Sequence, residues 1–184
     1  MPPPCFQGVS MTRLKLGILQ VNHDRSIEVG DAFPDDAHRF RDLFDAQDQR
    51  FSYRVYMTIG GEVPSDVDEQ DAYLITGSPL SVLDDLPFLP SLYEFIRACD
   101  TAQKPLLGAC FGHQAIAMAL GGQVARQEWN IGIDAIRIDH TLPFMTPTAP
   151  VLDLYQFHHD AVTQLPDGCA PYAKSDKCAV AGFT

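Results

Sequence analysis

The chain has 184 residues, 46% of them hydrophobic and 20% charged, which suits one domain with a sizeable core. Its 24 acidic and 13 basic residues leave a net charge of −11, so no basic surface is available to neutralise phosphates and a nucleic-acid partner is not expected. The opening residues lack the basic start and apolar run of a secretory signal, and no apolar stretch is long enough to cross a bilayer, so a cytoplasmic location and no membrane partner are expected.

Residues 1–13, rich in proline, read as a disordered lead in which Met11 is a candidate start; a single domain is expected over 14–184. Leu14 to Gln20 reads as a buried first strand. Pro34 opens a helix that places Ala37, Phe40, Leu43 and Phe44 on one face. Tyr53 to Tyr56 is a second strand. Ala72 to Ile75 is a third, running into the loop Thr76-Gly77-Ser78-Pro79. A helix from Pro90 to Asp100 turns Leu92, Phe95, Ile96 and Cys99 inward. The apolar run from Lys104 to Leu107 predicts another strand, and His113 to Leu120 another helix, stopped by Gly121-Gly122. Strands alternating with helices predict a mostly parallel sheet covered on both faces, with a site beyond the carboxyl ends of its strands. From Gln123 the pattern changes: Val124, Ile131, Ile133, Ile136 and Ile138 suggest short, partly antiparallel pieces. Tyr155 to Asp160 ends another strand, and Ala179 to Thr184 reads as a strand that stops in mid-course.

The segment Gly108-Ala109-Cys110-Phe111-Gly112-His113-Gln114 joins a strand to a helix through a Gly-x-Cys-x-Gly turn, the sulfur counterpart of a nucleophile elbow. Glycine at both positions lets the chain turn sharply and the strand and helix approach closely. Such a turn presents Cys110 at the strand's carboxyl end, against the positive end of the helix, where the thiolate is favoured. The plainer reading is a small cysteine packed under a helix. Cys99, by contrast, reads as core, and Cys5, Cys169 and Cys178 lack glycine elbows. The five cysteines show neither CxxC nor zinc-type spacing, so no disulfide framework and no metal are expected. The acidic clusters Asp35-Asp36 and Asp66-Asp68-Glu69 read as solvated surface.

A cysteine nucleophile needs a base, a group to orient it, and donors for the developing oxyanion. The Phe111 amide is placed to be one donor, and the Gly77-Ser78-Pro79 turn is the candidate for the other. Spacing alone offers His158 or His159 as base and Asp160 as orienter; the alternative is a hydrogen-bonded structural motif at a strand end.

Residues 106–114 (Leu-Leu-Gly-Ala-Cys-Phe-Gly-His-Gln) follow Ile-Thr-Gly-Ser-Pro-Leu-Ser-Val at 75–82. Gln-Phe-His-His-Asp-Ala-Val-Thr-Gln-Leu-Pro-Asp-Gly at 156–168 and Ala-Lys-Ser-Asp-Lys-Cys at 173–178 come after. In this order the motifs resemble the class I glutamine amidotransferase family, and within it free-standing members related to the glutaminase domain of GMP synthase. The resemblance implies a flavodoxin-like three-layer α/β sandwich and cysteine-dependent hydrolysis of a γ-glutamyl amide, with no cofactor. It implies Cys110 as nucleophile, Ser78 and Phe111 as oxyanion-hole amides, and Gln114 near the substrate. Ser78 stands where the family usually has glycine.

One departure matters. The family takes its base and orienting acid from a His-x-Glu motif after the last core strand, and no His-x-Glu occurs in the 184 residues. His158 belongs to an upstream His-x-Asp motif that the family does not use as its triad. The domain is therefore expected to stop short of that motif, with its closing strands missing. Two functions stay open: a γ-glutamyl amide hydrolase, or a catalytically silent binding or regulatory module. Expected partners are glutamine or a γ-glutamyl small molecule, with a homodimer or an ammonia-accepting enzyme as further candidates.

Overall fold

The computed structural model describes residues 13–184 apart from 24–25, 31, 48, 144 and 147–148. Residues 1–12 of the lead, Met11 among them, lie outside the described residues. Four strands, β1 (Leu14–Leu19), β2 (Phe51–Tyr56), β3 (Ala72–Ile75) and β4 (Leu106–Gly108), form a parallel sheet in the order β2-β1-β3-β4. Parallel neighbours need crossovers, supplied by helices α1 (Ile27–Gly30) and α2 (Asp36–Asp45) before β2 and α3 (Leu89–Thr101) before β4. Helix α4 (Phe111–Ala119) follows β4 directly.

The buried residues sort by sheet face. Leu16, Ile18 and Leu74 pack with Ala37, Phe40 and Phe44 of α2 on one side. Leu19, Tyr73 and Ile75 pack with Leu92, Ile96 and Cys99 of α3 and with Phe111 and Ala115 of α4 on the other. A sheet covered on both faces by helices is the expected three-layer α/β sandwich. Leu43, expected on the inner face of α2, is 58% exposed. The helix starts two residues later than Pro34, with Asp35 as N-cap accepting from the His38 amide at 2.9 Å. The other acidic cluster also terminates backbone, Asp66 and Glu69 forming a capping box.

After α4 the architecture changes more than the sequence suggests. Instead of short pieces, β5 (Gln123–Ile138) and β6 (Val151–Gln164) form one long antiparallel ribbon. β7 (Pro171–Lys174) and β8 (Gly182–Phe183) complete a second sheet in the order β6-β5-β7-β8. The ribbon register slips between Arg126 and Asn130, a bulge beside Trp129. Ile131 faces Phe157 and Ile133 faces Tyr155 across the ribbon, and all four side chains are exposed. Among the described residues no helix is long and apolar enough to cross a membrane.

Candidate active site

The turn between β4 and α4 is built by steric necessity. A β-carbon on Gly108 would fall 2.4 Å from the Gly112 carbonyl carbon, and one on Gly112 would fall 2.5 Å from the Ile75 carbonyl oxygen. Neither position has room for a side chain. The Ala109 amide donates to the Ile75 carbonyl at 3.0 Å, which keeps the end of β4 registered to β3 up to the cysteine. Cys110 then takes φ 51° and ψ −102°, a conformation that L-residues avoid. It is exposed, as the pattern predicts, and forms the N-cap of α4.

The loop after β3 runs alongside. A β-carbon built on Gly77 would lie 3.7 Å from Cys110 Cβ. Ser78 follows with its Oγ accepting from the Leu80 amide at 3.2 Å, and it is not among the described residues with positive φ. Its β-carbon is therefore compatible with a backbone conformation open to any residue. Phe111 is fully buried and its backbone N–H favours the Cys110 thiolate. Cys110, the Gly77-Ser78 turn and the Phe111 amide are thus brought together.

Cys110, His113, Gln114, Phe157, His158 and Phe183 line a cleft of ≈ 720 Å³. Gln114 uses its Nε2 to donate to the Asp160 carbonyl at 2.8 Å. His158 meets the same carbonyl through Nδ1 at 3.1 Å. A carbonyl only accepts, so Nδ1 is the donor in this contact. His159 stacks on Trp129 with ring centroids 4.1 Å apart, its Nε2 3.6 Å from Asp160 Oδ1. His113 Nε2 is buried without a partner. Among the described residues, no histidine hydrogen-bonds to the Cys110 thiol. The triad that spacing suggests is not assembled as a set of direct contacts.

Electrostatics at the thiol run against the sequence expectation. Burial pushes the Cys110 thiol above its ordinary value and outweighs the Phe111 amide, which favours thiolate; the Asp160 charge raises it further. The side chain is reachable from solvent yet crowded by protein on the cleft side, so desolvation exceeds what the helix terminus returns. His113 is held down at about 4, chiefly by burial and then by the neighbouring charge of His158.

Sequence reasoning missed Ser81 and Arg126. The Ser81 hydroxyl donates to Asp160 Oδ2, and Arg126 Nε lies 3.3 Å from Asp160 Oδ1. Ser81 falls within the 75–82 motif, but its role was not legible there, because its partner Asp160 lies on a strand far along the chain.

Comparison with known proteins places these features in a family. The profile of the family described as glutamine amidotransferase class-I matches residues 53–184. Gamma-glutamyl peptidase 3 of Arabidopsis thaliana is 30% identical over 140 residues, 71% of this chain and 56% of the peptidase. The glutamine-hydrolysing GMP synthase of Chlorobaculum tepidum is 33% identical over 118 residues, 61% of this chain and 22% of the synthase. A glutamine amidotransferase structure from Thermotoga maritima superposes with TM-score 0.75 at 22% identity, over 94% of this chain and 71% of that one. One from Methylobacillus flagellatus gives 0.73 at 24%, over 94% and 66%. The chain spans about half the length of the Arabidopsis peptidases it matches.

Proposed function

The chain belongs to the class I glutamine amidotransferase family, and on that footing we propose that it cleaves a γ-glutamyl amide through a thioester on Cys110. The observation that carries this reading is the strained Cys110 at φ 51°, held between two glycines that admit no β-carbon and opening onto the cleft. Strain of this kind costs on the order of 1–3 kcal/mol and persists where the position serves a purpose.

In the proposed reaction, Sγ attacks the side-chain amide carbon, and the new C–S bond converts the carbonyl oxygen to an oxyanion. The backbone amides of Ser78 and Phe111 donate to that oxygen. Collapse breaks the C–N bond, and ammonia or an amine leaves with the proton given up by the thiol. Water then attacks the thioester, releasing the γ-carboxylate and restoring the thiol. Gln114 forms part of the cleft wall beside this centre. The substrate is glutamine or another γ-glutamyl small molecule. The relation to GMP synthase supports an ammonia-accepting partner enzyme, the relation to γ-glutamyl peptidases a stand-alone hydrolase.

A thiol raised above its ordinary pKa is a poor nucleophile at neutral pH unless a base relieves it of its proton. Of the described residues, His158, which lines the same cleft as Cys110, is the candidate base. Hydrolysis of γ-glutamyl-p-nitroanilide tests the reading: release of p-nitroaniline by the chain, abolished in Cys110→Ala, supports it, and release that survives Cys110→Ala ends it. Activity retained in His158→Ala excludes His158 as base.

One observation favours a second reading. With a raised thiol pKa and, among the described residues, no histidine on the sulfur, this chain binds γ-glutamyl compounds in this reading without turning them over. Calorimetry that shows glutamine binding without ammonia release supports that reading; absence of binding removes it.

A further inference from the structure

Asp160 is 4% exposed, a carboxylate almost wholly removed from water. Such a group is expensive to bury unless its oxygens are hydrogen-bonded and its charge is met. Both conditions hold, through groups drawn from separate parts of the chain. The Ser81 hydroxyl, 5% exposed, donates to Oδ2 from the loop after β3. Arg126 of β5 approaches Oδ1 with Nε at 3.3 Å, and His159 Nε2 lies 3.6 Å from the same oxygen. The backbone carbonyl of Asp160 accepts from Gln114 of α4 at 2.8 Å and from His158 at 3.1 Å. Ser81 in turn accepts from the Leu83 amide at 3.1 Å, which pins the loop that carries Ser78.

We propose that Asp160 is the positioning residue that registers the two halves of the thiol site. Through Ser81 it holds the loop bearing the Ser78 amide, and through Gln114 it holds the helix bearing Cys110 and the Phe111 amide. The proposal rests on Cys110 being the nucleophile, because the two amides must converge on one oxygen only if an oxyanion forms there. A donor displaced from that oxygen gives up stabilisation that exists only in the transition state, so kcat falls while KM holds.

The test uses the 184-residue chain and γ-glutamyl-p-nitroanilide, with kcat expressed per thiol titrated by iodoacetamide. Ser81→Ala and Asp160→Ala are each expected to lower kcat ten-fold or more at nearly unchanged KM. The double variant is expected to be no worse than the weaker single one, and Asp160→Asn, whose amide oxygen still accepts from Ser81, to recover most of the loss. Additive losses, a change confined to KM, or an Asp160→Asn variant as impaired as Asp160→Ala overturns the proposal. Should the wild-type chain, with its thiol fully titratable, fail to turn over the probe, the hydrolase reading fails instead. Hydrogen–deuterium exchange then judges Asp160 alone. Faster exchange at residues 76–83 in both alanine variants, with Leu14–Leu19 unchanged, upholds the positioning role; unchanged exchange at 76–83 overturns it.

Discussion

At φ 51° Cys110 holds a backbone conformation that glycine adopts freely and cysteine does not. Its side chain is exposed, so replacing it loses little burial. Cys110→Gly is therefore expected to stabilise the fold by roughly 1 kcal/mol in urea denaturation while abolishing any thiol chemistry. The raised thiol pKa has its own signature: alkylation by iodoacetamide should climb with pH through a midpoint above the ordinary thiol value of 9.0. A midpoint below that value would show the helix terminus winning over burial. His113 behaves oppositely at the acid end. Its folded ring stays neutral down to about 4, whereas the unfolded ring takes up a proton near 6.5. The unfolded state binds more protons in that window, so stability falls as pH drops from 6.5 toward 4, by at most about 1.4 kcal/mol per unit. His113→Leu should flatten this limb relative to the wild type, as followed by urea midpoints at several pH values.

The junction of β4 and α4 is where local sequence and tertiary packing agree most closely. Gly108 and Gly112 are legible as a sharp strand-to-helix turn because the pattern needs no distant partner, and the contacts show why each must lack a side chain. Gly112→Ala would drive a methyl group into the Ile75 carbonyl, and a loss of roughly 1–3 kcal/mol is expected. A thermal midpoint within a degree of the wild type would mean that α4 can shift away from β3 freely. The inward face of α3 was equally readable, since Leu92, Phe95, Ile96 and Cys99 share helical spacing and all are buried. The ribbon was not. A glycine at φ 115° within β5 and the bulge before Asn130 punctuate a single strand so that it reads as fragments. Its alternation also misleads, because Ile131 and Ile133 point outward where apolar residues usually mark a core. The roles of Ser81 and Arg126 stayed invisible for another reason, that each is defined by one carboxylate distant in sequence.

Over the whole molecule, burial is uneven. The parallel sheet keeps Ile18, Leu19, Leu74 and Ile75 wholly from solvent between α2 on one face and α3 with α4 on the other. The far half of the ribbon, by contrast, leaves Val151, Leu154, Tyr155 and Phe157 exposed. Few buried contacts mean a low cost of local opening. Amides of β1 and β3 are thus expected to exchange with deuterium slowest and those of 151–157 fastest among the strands; equal protection would contradict this division. The loop after β3 and Cys110 sit at the carboxyl edge of the protected sheet, with the ribbon's inner end, at Asp160, fastened to them. The account as a whole turns on a covalent bond between Cys110 and a γ-glutamyl group. The direct measurement is acid quenching of the chain with γ-glutamyl-p-nitroanilide, followed by mass spectrometry of the peptide carrying Cys110. A glutamyl adduct on that peptide, absent in Cys110→Ala, is the expected result. An unmodified peptide, from protein whose Cys110 iodoacetamide labels completely, would contradict the account.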